Sequence, residues 1–393
     1  MTNFDEPQTI RITCAPGLID YLRHEVEALG YTVDSHRPTG LEITAGMQDA
    51  MRLNLFLRTA FNVLFLIDTF TCADPDALYE HVRTLPWEKM IAPDEYLSVI
   101  SSVNTPTIND WRFASVKIKD AIVDRVASVA GARPNSGPQR ENFVVNLYWN
   151  GDDARLFLNT SGRKLADRSY RKMPHKAPMQ ETLAAAVMIA TEYDGAVPLV
   201  NPMCGSGTLA IEAALIAAGR PPGLLRDNFG FMHRNGFDAD TWQSMRRRAR
   251  KLRNQAAIAP IIATDIDPGA IRAAGKNALT AGVDHMIRFE VCDFADTPMP
   301  PEPGIVVINP EYGERLGEIA ELEKTYSRMG DFFKQRCPGW TGYIFTGNLE
   351  LAKKVGLRAS RRMAFFNAKI ECRLLKYELY EGTRRKESSQ TDT

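Results

Sequence analysis

The chain has 393 residues, room for two or three domains at roughly 150 residues each. Apolar residues make up 44% and charged residues 24%, an ordinary globular composition that excludes a fully disordered or collagen-like polymer. Lys plus Arg and Asp plus Glu number 48 each, so the net charge is zero, but its distribution is uneven. Residues 1–99 carry 7 basic and 15 acidic side chains, residues 100–180 carry 13 and 7, and the remainder carries 28 and 26. A basic middle in a neutral chain is a local footprint for a polyanion.

Cys14, Cys72, Cys204, Cys292, Cys337 and Cys372 are far apart and form no C-x-x-C pair, so neither a metal site nor a disulfide framework is expected. The first six residues lack a basic segment followed by an apolar one, so no signal peptide is expected. The longest apolar stretches, 61–67 and 183–190, fall well short of the ~20 residues that a membrane span needs. A cytoplasmic, soluble protein is the resulting expectation.

Residues 9–14 read as a strand, 17–29 as a helix, 40–45 as a strand and 47–60 as a helix, a small α+β unit. A buried strand at 61–71, a helix near 74–84, a strand at 96–102, a helix at 110–130 and strands at 142–149 and 154–159 follow. Gly151-Asp152-Asp153 gives the last two a hairpin turn. In the 110–130 helix, Phe113, Ala114, Ile118, Ala121, Ile122, Val126 and Val129 predict one buried stripe. Lys117, Lys119 and Arg125 lie off it, available to solvent or a polyanion. The basic stretch Arg163-Lys164…Arg168-Ser-Tyr170-Arg171-Lys172…His175-Lys176 is either a solvated linker or part of the same footprint.

From residue 180 the pattern changes. A helix at 180–192, a strand at 197–200, a helix at 208–218, a Pro/Gly-rich loop at 219–224 and a helix at 240–255 precede strand 261–264, helix 268–281 and strands 287–291 and 304–308. The alternation predicts a parallel sheet with helices on both faces. Residues 246–253 (RRRARKLR) hold six cations in eight positions, a solvated face or a phosphate contact. The polar end of the chain, 383–393, is expected to fray.

Three strand ends carry chemistry. The run Pro198-Leu-Val-Asn201-Pro-Met-Cys204-Gly205-Ser206-Gly207-Thr208 takes a strand through a glycine turn into a helix, whose free N–H groups and bare α-carbons let a ligand approach. Asp265-Ile266-Asp267 ends the next strand with a carboxylate suited to ribose hydroxyls, and Cys292-Asp293-Phe294 ends another with a carboxylate and a ring or main-chain N–H suited to adenine. The last strand ends in Asn309-Pro310-Glu311-Tyr312-Gly313-Glu314-Arg315. An exocyclic nucleobase amine is a poor nucleophile because its lone pair is delocalised. The Asn309 amide oxygen and the Pro310 carbonyl can accept its two hydrogens, while Tyr312 stacks on the base and aligns it.

NPMCGSGT followed by NPEYGERLG resembles the class I S-adenosylmethionine methyltransferases that act on exocyclic amines. The segments 117–124 (KIKDAIVD), 158–162 (LNTSG), 168–171 (RSYR) and 177–185 (APMQETLAA) resemble more narrowly the THUMP-containing large-subunit rRNA guanine-N2-methyltransferases. That resemblance covers roughly residues 10–380. It implies an α/β fold in which a ferredoxin-like unit (1–60) and a THUMP RNA-binding domain (61–162) precede a Rossmann-like methyltransferase domain (163–383), with a disordered tail at 384–393. It implies S-adenosyl-L-methionine as cofactor, cradled by Asn201, Cys204, Gly205, Gly207 and Thr208, with Asp265 and Ile266 at the ribose and Asp293 and Phe294 at adenine. Asn309, Pro310 and Tyr312 would present the amine, and 178–181 would close over the cofactor. Lys117, Lys119, Arg168, Arg171 and Lys172 would meet RNA, as large-subunit rRNA or a precursor particle. Some bifunctional relatives carry a second methyltransferase after this region, and none is expected within this sequence.

Two departures from the family pattern stand out. Asn201 replaces the usual Asp, removing a charge that could meet the cofactor ammonium or orient the loop. Glu311 replaces the second Pro of N-P-P-Y, lifting a restraint on Pro310 and placing a carboxylate where it could accept from guanine N1–H. Other readings are adenine-N6 methylation of nucleic acid and a catalytically weak RNA-binding or ribosome-assembly factor. A nicotinamide-dependent oxidoreductase fits poorly, because the next strand-end carboxylate lies about sixty residues beyond the glycines rather than ~20.

Overall fold

The computed structural model describes residues 4, 6–108, 110–173, 179–252, 256–313 and 319–380. Residues 384–393, Pro178, His175, Lys176, Glu314 and Arg315, named above, lie outside them. In chain order the elements are β1 (Gln8–Cys14), α1 (Ile19–Ala28), β2 (Ser35–Arg37), β3 (Gly40–Ala45), α2 (Met47–Phe56), β4 (Ala60–Thr71), α3 (Pro75–Thr84), β5 (Tyr96–Asn104), α4 (Trp111–Ala130), β6 (Asn135–Ser136), β7 (Phe143–Asn150) and β8 (Asp153–Asn159). They continue with α5 (Glu181–Ala190), β9 (Leu199–Pro202), α6 (Thr208–Ala217), α7 (Ala239–Lys251), β10 (Ile261–Asp265), α8 (Pro268–Ala281), β11 (Ile287–Val291), β12 (Ile305–Ile308), α9 (Ile319–Arg336), β13 (Thr341–Thr346), α10 (Leu349–Lys353), β14 (Arg361–Asn367) and β15 (Ile370–Glu378). The chain divides into two compact units, one of Met1–Tyr170, Glu181–Ala186 and Gly219–Arg253, the other of Arg171–Gln180, Val187–Ala218 and Asn254–Thr393.

Among the described residues the first unit contains one eight-stranded sheet, ordered β2-β3-β1-β4-β8-β7-β5-β6. The 12-residue β4 pairs with β1 through Ala60–Phe65 and with β8 through Leu64–Thr71, all antiparallel. The segments 1–60 and 61–162 therefore share a sheet. Gly151, at φ +60°, closes the β7–β8 hairpin, where a side chain would be strained. α3 starts on Asp74, which accepts from the Asp76 and Ala77 amides, with Pro75 in the first turn.

In α4 the buried stripe is Ala114, Ile118, Ala121, Ile122, Val123 and Val126. Phe113 and Val129, expected on it, are 48% and 54% exposed. Phe113 stands one 100° step outside the stripe, and Val129 lies in the last turn.

Residues 219–252 belong with this first unit rather than with the methyltransferase sheet. The α-carbon of Gly223 lies so close to Asn54 and Leu55 on α2 that an added Cβ would fall 2.6 Å from the Asn54 carbonyl oxygen and the Leu55 Cα. Trp242 of α7 is buried edge-on against Phe229 and Phe231.

In the second unit the described strands form a seven-stranded sheet ordered β11-β10-β9-β12-β13-β15-β14. β11, β10, β9, β12 and β13 run parallel, while β15 is antiparallel to both neighbours. The expected parallel sheet is thus mixed. β14 and β15 join through Ala368-Lys369, with Ala368 at φ +55°, and so short a connection can only give an antiparallel pair. β10 and β12 flank β9 on opposite sides, so the direction of winding reverses there and a crevice opens beyond the strand ends. No described helix is long and apolar enough to cross a membrane.

Candidate active site

The turn from β9 into α6 alternates left-handed residues: Met203 at φ +55°, Gly205 at +55° and Gly207 at +80°. Its Cys204 amide donates to the Thr264 carbonyl of β10 at 2.9 Å. The Gly205 amide donates to Asp265 Oδ2 at 2.9 Å, and Asp265 Oδ1 accepts from the Asp267 amide at 3.0 Å. Two amides thus fix the Asp265 carboxylate, and each oxygen keeps a lone pair for a ligand hydroxyl. A Cβ built on Gly205 meets nothing within 4 Å, whereas one on Gly207 meets Ala274 Cβ of α8 at 2.9 Å. The first glycine faces open space, and the second seats the turn on a helix. A cradle with bare backbone, a helix N-terminus and a braced carboxylate fits a nucleoside-bearing ligand.

Asn201 occupies a different place from the one expected. It is fully buried, and its amide donates to the Val307 carbonyl of β12 at 2.8 Å. Pairing of β9 with β12 ends at Val200–Val306, and this side chain continues the connection. It stitches two strands and is inaccessible to a ligand ammonium. Burial, with the Asp265 charge second, raises the Cys204 thiol above its ordinary range, so it stays neutral.

Asn277 of α8, buried, was not singled out by any motif. Its Oδ1 accepts from the Lys172 and Met173 amides at 3.0 and 3.1 Å, and its Nδ2 donates to the carbonyls of Met173 at 3.1 Å and Ser206 at 3.2 Å. One side chain ties the glycine turn to the segment at 171–173.

Asp293 Oδ1 caps the short turn after β11 through the Ala295 amide at 2.9 Å and accepts from Arg328 of α9 at 2.7 Å. The Phe294 ring, expected beside adenine, is 5% exposed and packs edge-on against Phe332, with the Arg328 guanidinium 4.8 Å above it. The ring is therefore not available to stack on a ligand. Ile266, by contrast, is 69% exposed at the sheet rim.

The Tyr312 hydroxyl donates to Asn309 Oδ1 at 2.8 Å. The loop carrying them is held at the main chain: Tyr326 donates to the Glu311 carbonyl at 3.2 Å, and Asn348 donates to the Tyr312 carbonyl at 3.1 Å. The Tyr312 ring backs onto Phe345 and Gly347, where an added Cβ would lie 3.1 Å from it. Desolvation raises the pKa of the phenol. Pro310 is buried, and the Glu311 side chain is exposed.

Most of the cations expected at RNA are otherwise engaged. Lys117 pairs with Asp76 at 2.7 Å, Lys119 with Asp120 at 2.8 Å, and Arg125 with Glu88 through two 3.0 Å hydrogen bonds. Arg168 is 1% exposed and donates to the Arg58 carbonyl at 2.6 Å, so it cannot reach a phosphate. Arg171 donates to the Met179 carbonyl at 2.7 Å, leaving Lys172 as the exposed member of the group. The carboxylates and carbonyls that engage them are distant in sequence or follow no pattern that spacing reveals.

A glycine turn on the first parallel strand, a carboxylate at the end of the second and Asn-Pro-x-Tyr on the fourth, in this strand order, define a class I methyltransferase fold. The chain belongs to the RMKL-like methyltransferase domain family, whose model matches residues 168–376. An RlmL ferredoxin-like domain matches residues 9–64, and a THUMP domain matches residues 72–159. The ribosomal RNA large subunit methyltransferase K/L of Syntrophotalea carbinolica is 38% identical over 390 residues, 96% of this chain and 54% of the relative. That of Methylococcus capsulatus is 36% identical over 93% of this chain and 50% of its own length, so the chain spans about half the length of these relatives. Among solved structures, a Listeria monocytogenes protein described as a predicted N6-adenine-specific DNA methylase is 30% identical, with a TM-score of 0.82 over 95% of this chain and 97% of that one.

Proposed function

We propose that the chain methylates the exocyclic 2-amino group of a guanine in large-subunit rRNA, using S-adenosyl-L-methionine. The observation that carries this reading is the stitching of β9 to β12 by Asn201 and Val307, which brings the glycine turn and the Asn309–Tyr312 loop to neighbouring positions on one rim. The cofactor, when bound, supplies an electrophilic methyl on a positively charged sulfur. Gly205 would give it bare backbone, Asp265 would accept from its ribose hydroxyls, and Asp293 with the Phe294 main chain would meet its adenine. Asn309 Oδ1 and the Pro310 carbonyl accept the two amine hydrogens of the target, and Tyr312 supports the base. These two acceptors would leave the guanine N2 lone pair free toward the methyl that the bound cofactor would supply, with the amine proton passing to solvent. The target must be unstacked, because its amine is inaccessible within a stack. Free rRNA and a precursor particle are the two candidate substrates. The relatives' names, ribosomal RNA large subunit methyltransferase K/L, support large-subunit rRNA as the substrate class.

A second reading, adenine-N6 methylation, is favoured by the likeness to the Listeria protein and by the shared N-P-x-Y logic. The test is mass-spectrometric mapping of rRNA from a deletion strain, with methylation of that rRNA by the purified chain. Appearance of N2-methylguanosine is expected. Appearance of N6-methyladenine instead would replace the first reading with the second, and no heat of cofactor binding by calorimetry would leave a binding factor.

A further inference from the structure

α7 is held to the first unit by an arginine that serves as an interior group. Arg246 is 7% exposed and donates to the carbonyls of Arg226 at 2.9 Å and Leu224 at 3.4 Å. Together with Trp242 and Ala249 it forms the buried face of the helix. At 100° per residue these three positions lie within an arc of about 60°, and Arg247, Arg248, Arg250 and Lys251 occupy the opposite ~160°. All four are exposed, and among the described residues none of their side chains enters an ion pair or hydrogen bond. They fall within about 6 Å of helix rise, so they repel one another in the free protein. The helix dipole welcomes one or two cations in the last turn. Four on one face exceed what it accounts for.

We infer that this face of α7 is the chain's phosphate-gripping surface for RNA, with Arg246 as its anchor. The inference rests on the reading of the chain as an RNA methyltransferase and supplies the contact surface that Lys117, Lys119 and Arg168, neutralised or buried, do not. Three of the four cations are arginines, whose planar forks match phosphate oxygens. The surface lies on a segment packed with the N-terminal unit, so the grip belongs to that unit even though its sequence interrupts the methyltransferase motifs.

The test is fluorescence anisotropy of a labelled hairpin RNA with the full chain between about 50 and 200 mM salt. For R247Q/R248Q/R250Q/K251Q, affinity at the low-salt end falls at least about tenfold and the slope of log affinity against log salt shrinks by about 3, as loss of four phosphate contacts requires. Lys353→Gln, which removes an exposed cation on α10, leaves the slope in place. Replacing the three arginines by lysine retains most of the slope, since the charge remains. Unchanged thermal melting of the glutamine variant shows that the helix still packs. A glutamine variant that binds with the parent's affinity and slope overturns the inference and leaves the RNA reading intact. If the parent chain itself shows no salt-dependent RNA binding, the RNA reading fails and the inference falls with it.

Discussion

The Tyr312 hydroxyl donates to Asn309 Oδ1, the same oxygen that would accept a hydrogen from the target amine. The oxygen has two lone pairs, so the phenol holds the amide in orientation and leaves one acceptor position for substrate. Tyr312→Phe keeps a ring for the base and frees the amide. We expect kcat to fall about fivefold, matching the ~1 kcal/mol of one such bond, with KM for RNA little changed. Unaltered kcat in single-turnover assays would rule out this orienting role.

Glu311 is exposed in the loop that carries Asn309 and Tyr312. Glu311→Pro should slow methylation and weaken discrimination between guanine and adenine. Nucleoside analysis after reaction checks this. An undiminished rate with the same base choice would remove Glu311 from base recognition.

The two glycines of the turn should respond differently to a methyl group. Gly207→Ala forces a side chain to φ +80° and a Cβ to within 2.9 Å of Ala274, a combined cost of about 2–4 kcal/mol visible as a lower Tm. Gly205→Ala at φ +55° meets no neighbour, so it should cost only about 1–2 kcal/mol of stability while the Cβ enters the open cradle. Calorimetry should then show weaker S-adenosylmethionine binding by a chain that still folds. Equal melting losses for the two would contradict the geometry.

Asn277→Asp retains the acceptors for the Lys172 and Met173 amides but loses both Nδ2 donors. The part-buried carbonyl of Met173 and the buried one of Ser206 then face a carboxylate. A stability loss of roughly 2–5 kcal/mol is expected from unmet polar groups. Hydrogen exchange at the Ser206 and Gly207 amides should accelerate locally, which general destabilisation alone would not single out.

Burial raises every thiol of the six cysteines, Cys14 and Cys337 to about 12 and Cys72 to about 11. Tyr343 and Tyr377 are likewise raised to about 12 by desolvation. A folded-state value above the unfolded one stabilises fully below the unfolded value and is lost as pH climbs through the folded one. Tm should therefore decline from about pH 9 upward, first through thiols and then through phenols. In native protein at pH 8 a thiol reagent should spare the buried Cys14, Cys72, Cys337 and Cys372, which become reactive only after unfolding. Rapid labelling of any of these four in the folded chain would contradict their burial.

The strand-turn-helix at 199–208 and the loop at 309–312 were legible because each places glycine, proline or a carboxylate at a strand end. Burial was not. Arg168 and Arg246 read as surface cations because nothing local distinguishes an arginine that donates to interior carbonyls. Asn201 was readable as part of the motif but not as a strand stitch, because its partner, Val307, lies 106 residues away. β13, β14 and β15 went unread because apolar neighbours blur the alternation: Ala364 and Phe366 flank Phe365, and Leu375 follows Leu374. Their turn, Asn-Ala-Lys, carries no glycine to mark it.

β4 bonds along one edge to β1 and along the other to β8, so neither partner sheet segment is complete without it. Severing the chain near residue 60 would strip β1 of one neighbour and uncover raw backbone on both fragments, an invitation to adhere to other chains. Two modules that sequence families count separately should melt in a single calorimetric step.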